Sequence, residues 1–248
     1  MKKKYFFANW KMYLNNSESI ALASWMADNS GNFDKNFELA VFPTNLSLVA
    51  VKNRIKESNI KIGAQNSYWL NEGGYTGEVS VGMLKEVGCS YVLVGHSERR
   101  HLFNETNEQV GKKISSAVLN NMIPVLCVGE TKQQREDNYQ EIIVKKQIEE
   151  ALSNIDLNEI SLFIAYEPVW AVGSGKNCSL FEAEQMHDII GKIVGQFSSN
   201  YKILYGGSVR PENINEYIQS DIIDGVLVGG ASTKKDALAN MLGMSNSI

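Results

Sequence analysis

The sequence has few of the residues that stabilise small secreted or zinc-bound proteins. It contains 3 cysteines and 4 prolines among 248 residues. The cysteines, Cys89, Cys127 and Cys178, are odd in number and far apart, so we expect a reducing compartment and no disulfide framework. No Cys-x-x-Cys or His-x-x-x-His pair is present, and the sequence therefore predicts no zinc site.

Long apolar runs and a surplus of basic residues are also absent. After the first lysines, the apolar stretch Tyr5–Ala8 is shorter than the core of a signal peptide, which needs about 7–15 residues. No run approaches the length of a membrane span, about 18 residues. Acidic residues outnumber basic ones by 28 to 24, whereas a general nucleic-acid binder carries a basic face. We therefore expect a soluble, cytoplasmic protein that binds neither membranes nor nucleic acids.

Eight short apolar runs alternate with longer amphipathic stretches. Most of the runs are apolar throughout, which is typical of parallel strands covered by helices on both faces. The predicted strands are Tyr5–Asn9, Glu38–Phe42, Ile60–Gln65, Tyr91–Gly95, Ile123–Val128, Leu162–Glu167, Lys202–Tyr205 and Gly225–Val228. The strand ends recur about every 31 residues. This spacing predicts an α/β fold with one domain over residues 1–248, a closed (β/α)8 barrel with a parallel eight-stranded core.

An open, doubly wound sheet is the alternative fold. It would favour fewer strands and a Gly-x-Gly-x-x-Gly turn after the first strand. The chain has Asn9-Trp10-Lys11 at that place instead. Three capping boxes, which begin at Thr106, Thr131 and Ser179, mark predicted helix starts, and Pro211 is predicted in the first turn of another helix.

The predicted strand ends carry residues suited to acid–base chemistry. In a barrel of this class, the functional site lies at the carboxyl ends of the strands. Those ends offer Asn9, Lys11, His96 and Glu167, which supply an amide, a cation, a titratable ring and a carboxylate base. A lone histidine is more often structural, but the position of His96 at a strand end favours catalysis. We expect Glu98 and Arg99, which follow it, to form a structural ion pair, and a catalytic role for them is the alternative.

Glycine-rich turns lie at the same predicted rim. They are Gly173-Ser174-Gly175-Lys176, Gly206-Gly207-Ser208 and Gly229-Gly230. The last two follow the seventh and eighth strands, where barrels of this class bind phosphate. Glycine pairs are common in ordinary loops, but three such turns at one rim indicate an anion site built from backbone N–H groups.

The segment after Glu167 is predicted to be a lid. Pro168 ends the strand, and apolar residues follow it, which is typical of a loop that excludes water from a polar site. A buried structural loop is the alternative interpretation. The predicted lid comprises Pro168, Val169, Trp170, Ala171, Val172, Gly173, Ser174, Gly175 and Lys176.

Seven segments between Asn9 and Ser232 resemble, in order, the motifs of the triosephosphate isomerase family. They are Asn9-Trp10-Lys11-Met12, Gly63-Ala64-Gln65-Asn66, Gly95-His96-Ser97-Glu98-Arg99-Arg100, Cys127-Val128-Gly129-Glu130, Ala165-Tyr166-Glu167-Pro168-Val169-Trp170-Ala171, Tyr205-Gly206-Gly207-Ser208-Val209 and Leu227-Val228-Gly229-Gly230-Ala231-Ser232. The resemblance implies interconversion of dihydroxyacetone phosphate and D-glyceraldehyde 3-phosphate, without cofactor or metal.

The resemblance also implies a role for each site residue. Glu167 would remove the carbon-bound proton, neutral His96 would donate to the carbonyl oxygen, and Lys11 would stabilise the enediolate. Asn9 would help to orient the small phosphorylated triose substrate. The residues implied to hold its phosphate through backbone groups are Gly173, Ser208, Gly229 and Gly230.

The stretch Ser67–Gly77 resembles the loop with which members of this family dimerise. Its tip, Thr76, would insert into the partner near Asn9 and Lys11, and the resemblance therefore implies a homodimer. A mobile surface loop is the alternative interpretation.

Two other functions stay open on the residues alone. One is another phosphate-binding barrel lyase or aldolase, although a Schiff-base aldolase often has its lysine on the sixth strand, which here ends in Glu167. The other is a non-enzymatic scaffold on the same fold, against which the joint presence of Lys11, His96 and Glu167 argues.

Overall fold

The predicted closed parallel barrel is confirmed. A computed structural model describes residues 3–157, 160–171 and 178–244. Its strands are β1 Lys4–Asn9, β2 Phe37–Phe42, β3 Lys61–Ala64, β4 Tyr91–Val94, β5 Ile123–Val128, β6 Leu162–Tyr166, β7 Tyr201–Tyr205 and β8 Gly225–Val228. They follow one another around the barrel in chain order, and β8 closes it by pairing in parallel with β1.

Helices follow every strand and cover the outside of the barrel. In the described residues they are α1 Asn16–Asn29, α2 Leu48–Ile55, α3 Val81–Glu86, α4 Ser97–Leu102, α5 Asn107–Leu119, α6 Lys132–Glu136, α7 Gln140–Leu152, α8 Leu180–Val194, α9 Ile214–Gln219 and α10 Lys235–Met241. The helices return the chain to the same end of the barrel before each new strand begins. Because the strands are therefore parallel, the carboxyl ends of all eight meet at one rim.

The three predicted capping boxes are confirmed at the starts of α5, α6 and α8. The prediction for Pro211 is wrong, because this residue lies in a turn and α9 begins three residues later. The side chain of Asn213 closes that turn by accepting from the N–H of Arg210 and donating to the carbonyl of Ser208. These side-chain bonds accompany a main-chain bond from the N–H of Ile214 to the carbonyl of Arg210 at 3.0 Å, so the turn leads into α9.

The inside of the barrel is packed with side chains. Phe7 lies at its centre, with ring centroids 5.5 Å from Phe42, 4.7 Å from Tyr91 and 5.1 Å from Phe163. The residues on either side of Phe7 point outward and pack against the helices. A filled interior leaves no channel, so ligands reach the barrel only at its ends.

The three cysteines are free and buried. Burial raises the pKa of the Cys89 and Cys178 thiols to about 12. Both therefore stay protonated near neutral pH and serve as apolar packing groups. Across the described ranges, no helix has the length and apolar character needed to span a membrane.

Candidate active site

Lys11 reaches the rim through an unusual backbone turn. Its φ is +51°, a left-handed conformation that is uncommon for residues other than glycine. The carbonyl of Lys11 accepts a 2.8 Å hydrogen bond from Gln65 Nε2, which also donates to the carbonyl of Phe42 at 2.9 Å. The N–H of Lys11 donates to Asn9 Oδ1 at 3.1 Å. Surrounding bonds therefore hold a strained residue in place, as is common at functional sites.

The ammonium of Lys11 is paired with a carboxylate at the rim. Lys11 Nζ lies 2.6 Å from Glu98 Oε1. The predicted pair between Glu98 and Arg99 is wrong, because Arg99 Nε instead binds Glu105 Oε2 at 2.6 Å. Consecutive residues on a helix project in different directions, so the two side chains face different neighbours.

Glu167 and His96 meet in the interior of the site. Glu167 is 2% exposed, and its Oε1 lies 3.0 Å from His96 Nε2. Its Oε2 accepts a 2.7 Å bond from the N–H of Ser97 at the start of α4. His96 Nδ1 accepts the N–H of Glu98 at 3.2 Å, and this pattern assigns the proton of a neutral imidazole to Nε2. The imidazole thus presents an N–H donor inside the site.

Opposing effects determine the charge of Glu167. Burial acts to raise the pKa of its carboxyl group, whereas His96, the Ser97 N–H and the positive charge of Lys11 lower it. The net result is a pKa of Glu167 below the usual range. The carboxylate is therefore ionised at neutral pH although it is buried.

Two glycines allow the chain to pack closely around Glu167. A Cβ atom at Gly129 would lie 1.8 Å from the carbonyl oxygen of Glu167. At Gly206 it would lie 2.9 Å from Glu167 Cγ. Any side chain at either position would displace Glu167. The segments that follow β5 and β7 therefore fix the position of this residue from both sides.

A cavity of about 400 Å³ opens beside these groups. Its walls carry the four predicted site residues and the turns after β7 and β8. The predicted residues that line it are Asn9, Lys11, His96, Glu167, Gly206, Gly207, Ser208, Gly229 and Gly230. The hydroxyl of the buried Ser232 donates to the carbonyl of Gly229 at 2.7 Å and stabilises the second turn. A small anion fits this volume, with backbone N–H groups and cations near it.

Two cations at the cavity were missed by sequence reasoning. Arg210 and Lys234 are exposed residues that line the same cavity. Each stands within five residues of a glycine turn, and a search for basic residues flanking the predicted phosphate turns would have found them. In the described part of the chain, no three His, Cys, Asp or Glu side chains are grouped so that they could hold a metal ion.

Only the first part of the predicted lid belongs to the described chain. Pro168, Val169, Trp170 and Ala171 are described, and the last three form a short 3-10 turn. Val172, Gly173, Ser174, Gly175 and Lys176 lie outside the described residues. The start of the segment is anchored, because Trp170 Nε1 donates to Glu130 Oε1 at 2.9 Å.

Glu130 connects this anchor to the barrel. It is fully buried, and the hydroxyl of Tyr166 on β6 lies 3.1 Å from its Oε1. Burial raises the pKa of Glu130, although the bonds from Trp170 and Tyr166 oppose this shift. The indole, the phenol and the carboxyl group form one cluster at the start of the predicted lid.

A second cleft adjoins the site on the other side of Lys11. It has a volume of about 310 Å³. Its walls include Lys11, Gln65 and Phe103, and the neighbouring Met12 is 92% exposed. Thr76, the tip of the predicted dimer loop, is exposed on the same chain.

Fold and site together define an enzyme of the (β/α)8-barrel class, in which acid–base groups at the carboxyl rim adjoin an anion-sized cavity. The sequence matches the family model described as triosephosphate isomerase over residues 4–245. The chain belongs to the triosephosphate isomerase family.

Curated relatives agree over the full length of the barrel. The triosephosphate isomerase of Dictyoglomus thermophilum is 40% identical over 248 residues, which covers 98% of this chain and 99% of that protein. That of Geotalea uraniireducens is 40% identical over 251 residues and covers 99% of this chain and 100% of its own length. That of Thermoanaerobacter pseudethanolicus is 41% identical over 238 residues, 94% of this chain and 95% of that protein.

Proposed function

We propose that this protein interconverts dihydroxyacetone phosphate and D-glyceraldehyde 3-phosphate by proton transfer through an enediolate. One observation carries the proposal. The ionised, buried carboxylate of Glu167 lies 3.0 Å from His96 Nε2 at the wall of a cavity that also contains Lys11 and two glycine turns. A base, a neutral donor, a cation and an anion cradle are the groups that this reaction requires.

Glu167 is the base in this proposal. Its oxygens are occupied by His96 and by the Ser97 N–H. To remove a carbon-bound proton, the carboxylate must release at least one of these partners and turn toward the substrate. Loss of hydrogen-bond donors to the charged form raises the basicity of a buried carboxylate. The base therefore becomes stronger as it engages the substrate.

His96 and Lys11 act on the oxygens of the substrate. The Nε2–H of a neutral His96 donates to the carbonyl oxygen as the enediolate forms, and it can return a proton to the neighbouring oxygen. Lys11 offsets the developing negative charge, and Asn9 orients the substrate. Donors placed in advance at a developing charge are among the largest contributions to catalysis.

The phosphate is held by the glycine turns. Backbone groups of Ser208, Gly229 and Gly230 line the cavity, and Gly173 would add another group from the lid. Arg210 and Lys234 place positive charge near the same position, although the whole chain carries a net charge of −4. Within the cavity, the attraction of nearby cations and N–H groups for an anion outweighs the weak repulsion from the net charge of the whole chain.

The lid protects the intermediate. An enediolate next to a phosphate ester can expel phosphate, and closure over the phosphate hinders this elimination while it excludes water. The anchoring of Trp170 on Glu130 supports a lid that begins at Pro168. Residues 168–176 form this lid in the proposal.

Two assays separate the proposal from its alternatives. A coupled dehydrogenase assay detects isomerisation directly, and an inactive, folded protein would favour a scaffold. Borohydride trapping with dihydroxyacetone phosphate would reveal the Schiff base of a lysine-dependent aldolase. The proposed mechanism forms no such adduct and uses neither metal nor cofactor.

Removal of the imidazole should change the pH at which the base titrates. In His96→Asn, burial of Glu167 is no longer opposed by His96, so the pKa of Glu167 should rise. Because the base acts only when it is ionised, activity should be lost as the pH falls. In His96→Asn this loss should begin at a higher pH than in the wild type. Carbon-13 NMR titration of the glutamate carboxyl carbons measures this pKa directly.

The matched control is His101→Asn, which removes an exposed histidine from α4, the helix that His96 precedes. It should leave the titration of Glu167 at its wild-type midpoint. An equal midpoint in the wild type and in His96→Asn would contradict the coupling between the imidazole and the carboxylate.

We also infer that the protein is a homodimer in the cytoplasm. The cleft beside Lys11 and the exposed Met12 offer a receptor for Thr76 of a second copy. Glycines on either side of Thr76, Gly73 and Gly77, have φ values of +139° and +95°. This geometry shapes a projecting loop, and the loop and cleft together support a reciprocal two-fold contact. The buried, free cysteines favour a reducing compartment.

A bulky charge at the tip should prevent dimerisation. Thr76→Arg would bring a long guanidinium side chain into a cleft whose walls already contain Lys11 and Arg99, and whose Glu98 carboxylate is already paired with Lys11. We expect a monomer at micromolar concentration and a kcat lower by about ten- to a hundred-fold, because Lys11 loses support. Sedimentation velocity and the isomerase assay measure the two effects. As a control, Asn154→Arg on another exposed surface should keep both properties.

A wild-type protein that sediments only as a 27.6 kDa species at micromolar concentration would contradict the dimer. A dimeric Thr76→Arg variant would instead show that the tip does not enter the partner.

A further inference from the structure

Arg100 occupies an unusual place behind the catalytic histidine. It is the fourth residue of α4, four positions after His96. Its guanidinium donates from three nitrogens to three different segments of the chain. The acceptors are the carbonyl of Gly95 at 2.7 Å, Asn107 Oδ1 at 2.5 Å and the carbonyl of Cys127 at 3.2 Å. These contacts connect the end of β4, the start of α5 and the end of β5.

Arg100 contacts the backbone on both sides of His96, where the His96 carbonyl also accepts a 2.8 Å bond from the N–H of Arg99. The Arg100 N–H donates to the carbonyl of His96 at 3.1 Å, and its Nε donates to the carbonyl of the preceding Gly95. Gly95 has a φ of +72°, and a Cβ there would lie 2.7 Å from Arg100 Nη2. The peptide that carries His96 therefore lies directly on the guanidinium.

The charge of Arg100 has no carboxylate partner within ion-pair distance in the part of the chain that the structure describes. Its acceptors are two carbonyls and an amide, and Asn107 is itself fixed by a 2.8 Å bond from its Nδ2 to Glu150. Burial lowers the pKa of Arg100, while the negative charges of Glu105 and Glu167 raise it. An arginine in a surface ion pair needs no such set of neutral acceptors. The arrangement instead suits a planar guanidinium, whose N–H groups point in fixed directions toward fixed backbone carbonyls.

We propose that Arg100 is a positioning residue for the isomerisation, which holds the imidazole of His96 in register with Glu167. It acts through the backbone of Gly95 and His96 on one side and through the end of β5 on the other. Gly129, which directly follows β5, packs against the backbone of Glu167. One planar side chain thus sets the position of the proton donor relative to the strand that supports the base. The inference rests on the proposed roles of His96 and Glu167.

The expected effect follows from the geometry of proton transfer. Catalysis needs reacting groups within hydrogen-bond reach, and a displacement of about 1 Å can cost about a hundred-fold in rate. Arg100 does not line the cavity that receives the substrate. Its loss should therefore lower kcat by about ten- to a hundred-fold and leave KM within about two-fold.

Arg100→Ala, with added guanidinium ion at tens of millimolar as a probe, tests the proposal. We expect guanidinium to restore part of kcat in this variant, because it can bridge the same carbonyls. Arg100→Lys keeps the charge but not the fork, so it should remain as impaired as Arg100→Ala. Arg54→Ala, at an exposed position on α2, is the control and should keep full activity with or without guanidinium.

A wild-type kcat in either folded Arg100 variant would overturn the proposal. So would a change in KM alone, or a lowered kcat in Arg100→Ala that guanidinium does not restore. If Arg100→Ala fails to fold, Asn107→Ala removes one arm of the fork, and it should lower kcat about two- to five-fold at constant KM. An unchanged kcat there would also overturn the proposal. An inactive wild type would instead refute the isomerase function itself.

Discussion

Glu167→Gln should lower kcat by about 10²–10⁴-fold, since a positioned general base contributes that much to a proton transfer. The amide keeps the size of the side chain and can still contact His96 and the Ser97 N–H, which bind the carboxylate at 3.0 Å and 2.7 Å. It cannot accept a proton from carbon. Binding of substrate should change little, because in the proposal the phosphate is held elsewhere, by the turns after β7 and β8 that line the cavity.

The comparison variant is Glu57→Gln, which changes a side chain that is 88% exposed. It should keep the wild-type kcat and KM in the coupled dehydrogenase assay. Melting temperatures of both variants establish that they are folded. A Glu167→Gln enzyme that keeps even a tenth of the wild-type kcat would remove Glu167 from the role of base.

Lys11→Met should lower kcat/KM by about 10²–10³-fold, the usual cost of removing a donor from a developing oxyanion. Methionine has a similar length and preserves the packing of the stem along Gly229, where a Cβ would lie 3.1 Å from Lys11 Cε. The change also leaves Glu98 without its partner at 2.6 Å. An unpaired carboxylate near the enediolate adds repulsion. The loss of kcat/KM should therefore be larger than that caused by removing a lysine from a surface ion pair.

Lys56→Met is the matched control, because this lysine side chain is 63% exposed and far less firmly paired. Inorganic phosphate, tested as a competitive inhibitor, distinguishes a contribution of Lys11 to phosphate binding from its proposed role at the enediolate. Weaker inhibition with unchanged kcat would assign Lys11 to phosphate binding alone and contradict its role at the enediolate.

The sequence was sufficient to predict the barrel because its signals are local and repeated. Buried parallel strands are apolar throughout, and each of the three predicted capping boxes gives its helix a start that needs no distant partner. Pro211 shows the limit of such signals. A proline fits the first turn of a helix, but Asn213 stabilises a competing turn with two side-chain bonds.

The convergence of the predicted site residues on one cavity could be predicted from the sequence, whereas the contacts among them could not. Strand ends converge in any such barrel, so Lys11, His96 and Glu167 were expected at one rim. The partner of Glu98 depends on the direction in which each side chain leaves a short helix. Spacing along a helix predicts contacts between residues three or four positions apart, but not between adjacent ones. The φ of +51° at Lys11 is likewise imposed by Gln65, a residue 54 positions away. Long-range bonds of this kind leave no local pattern.

Arg210 and Lys234 were missed for a different reason. Exposed basic residues are common, and a single one near a turn carries little information. Their meaning arises only when two turns from different strands form one cavity. Arg100 is similar, since its three acceptors come from three segments that meet only in the folded barrel.

The most direct test of the account follows D-glyceraldehyde 3-phosphate in D2O by proton NMR, with the wild type and Glu167→Gln side by side. The account predicts that the wild type forms dihydroxyacetone phosphate and that product accumulates with deuterium bound to carbon, since the proton passes through an exchangeable carboxyl group. Glu167→Gln should form almost none. A folded wild type that yields no product, or a Glu167→Gln variant that converts substrate at a tenth or more of the wild-type rate, would contradict it.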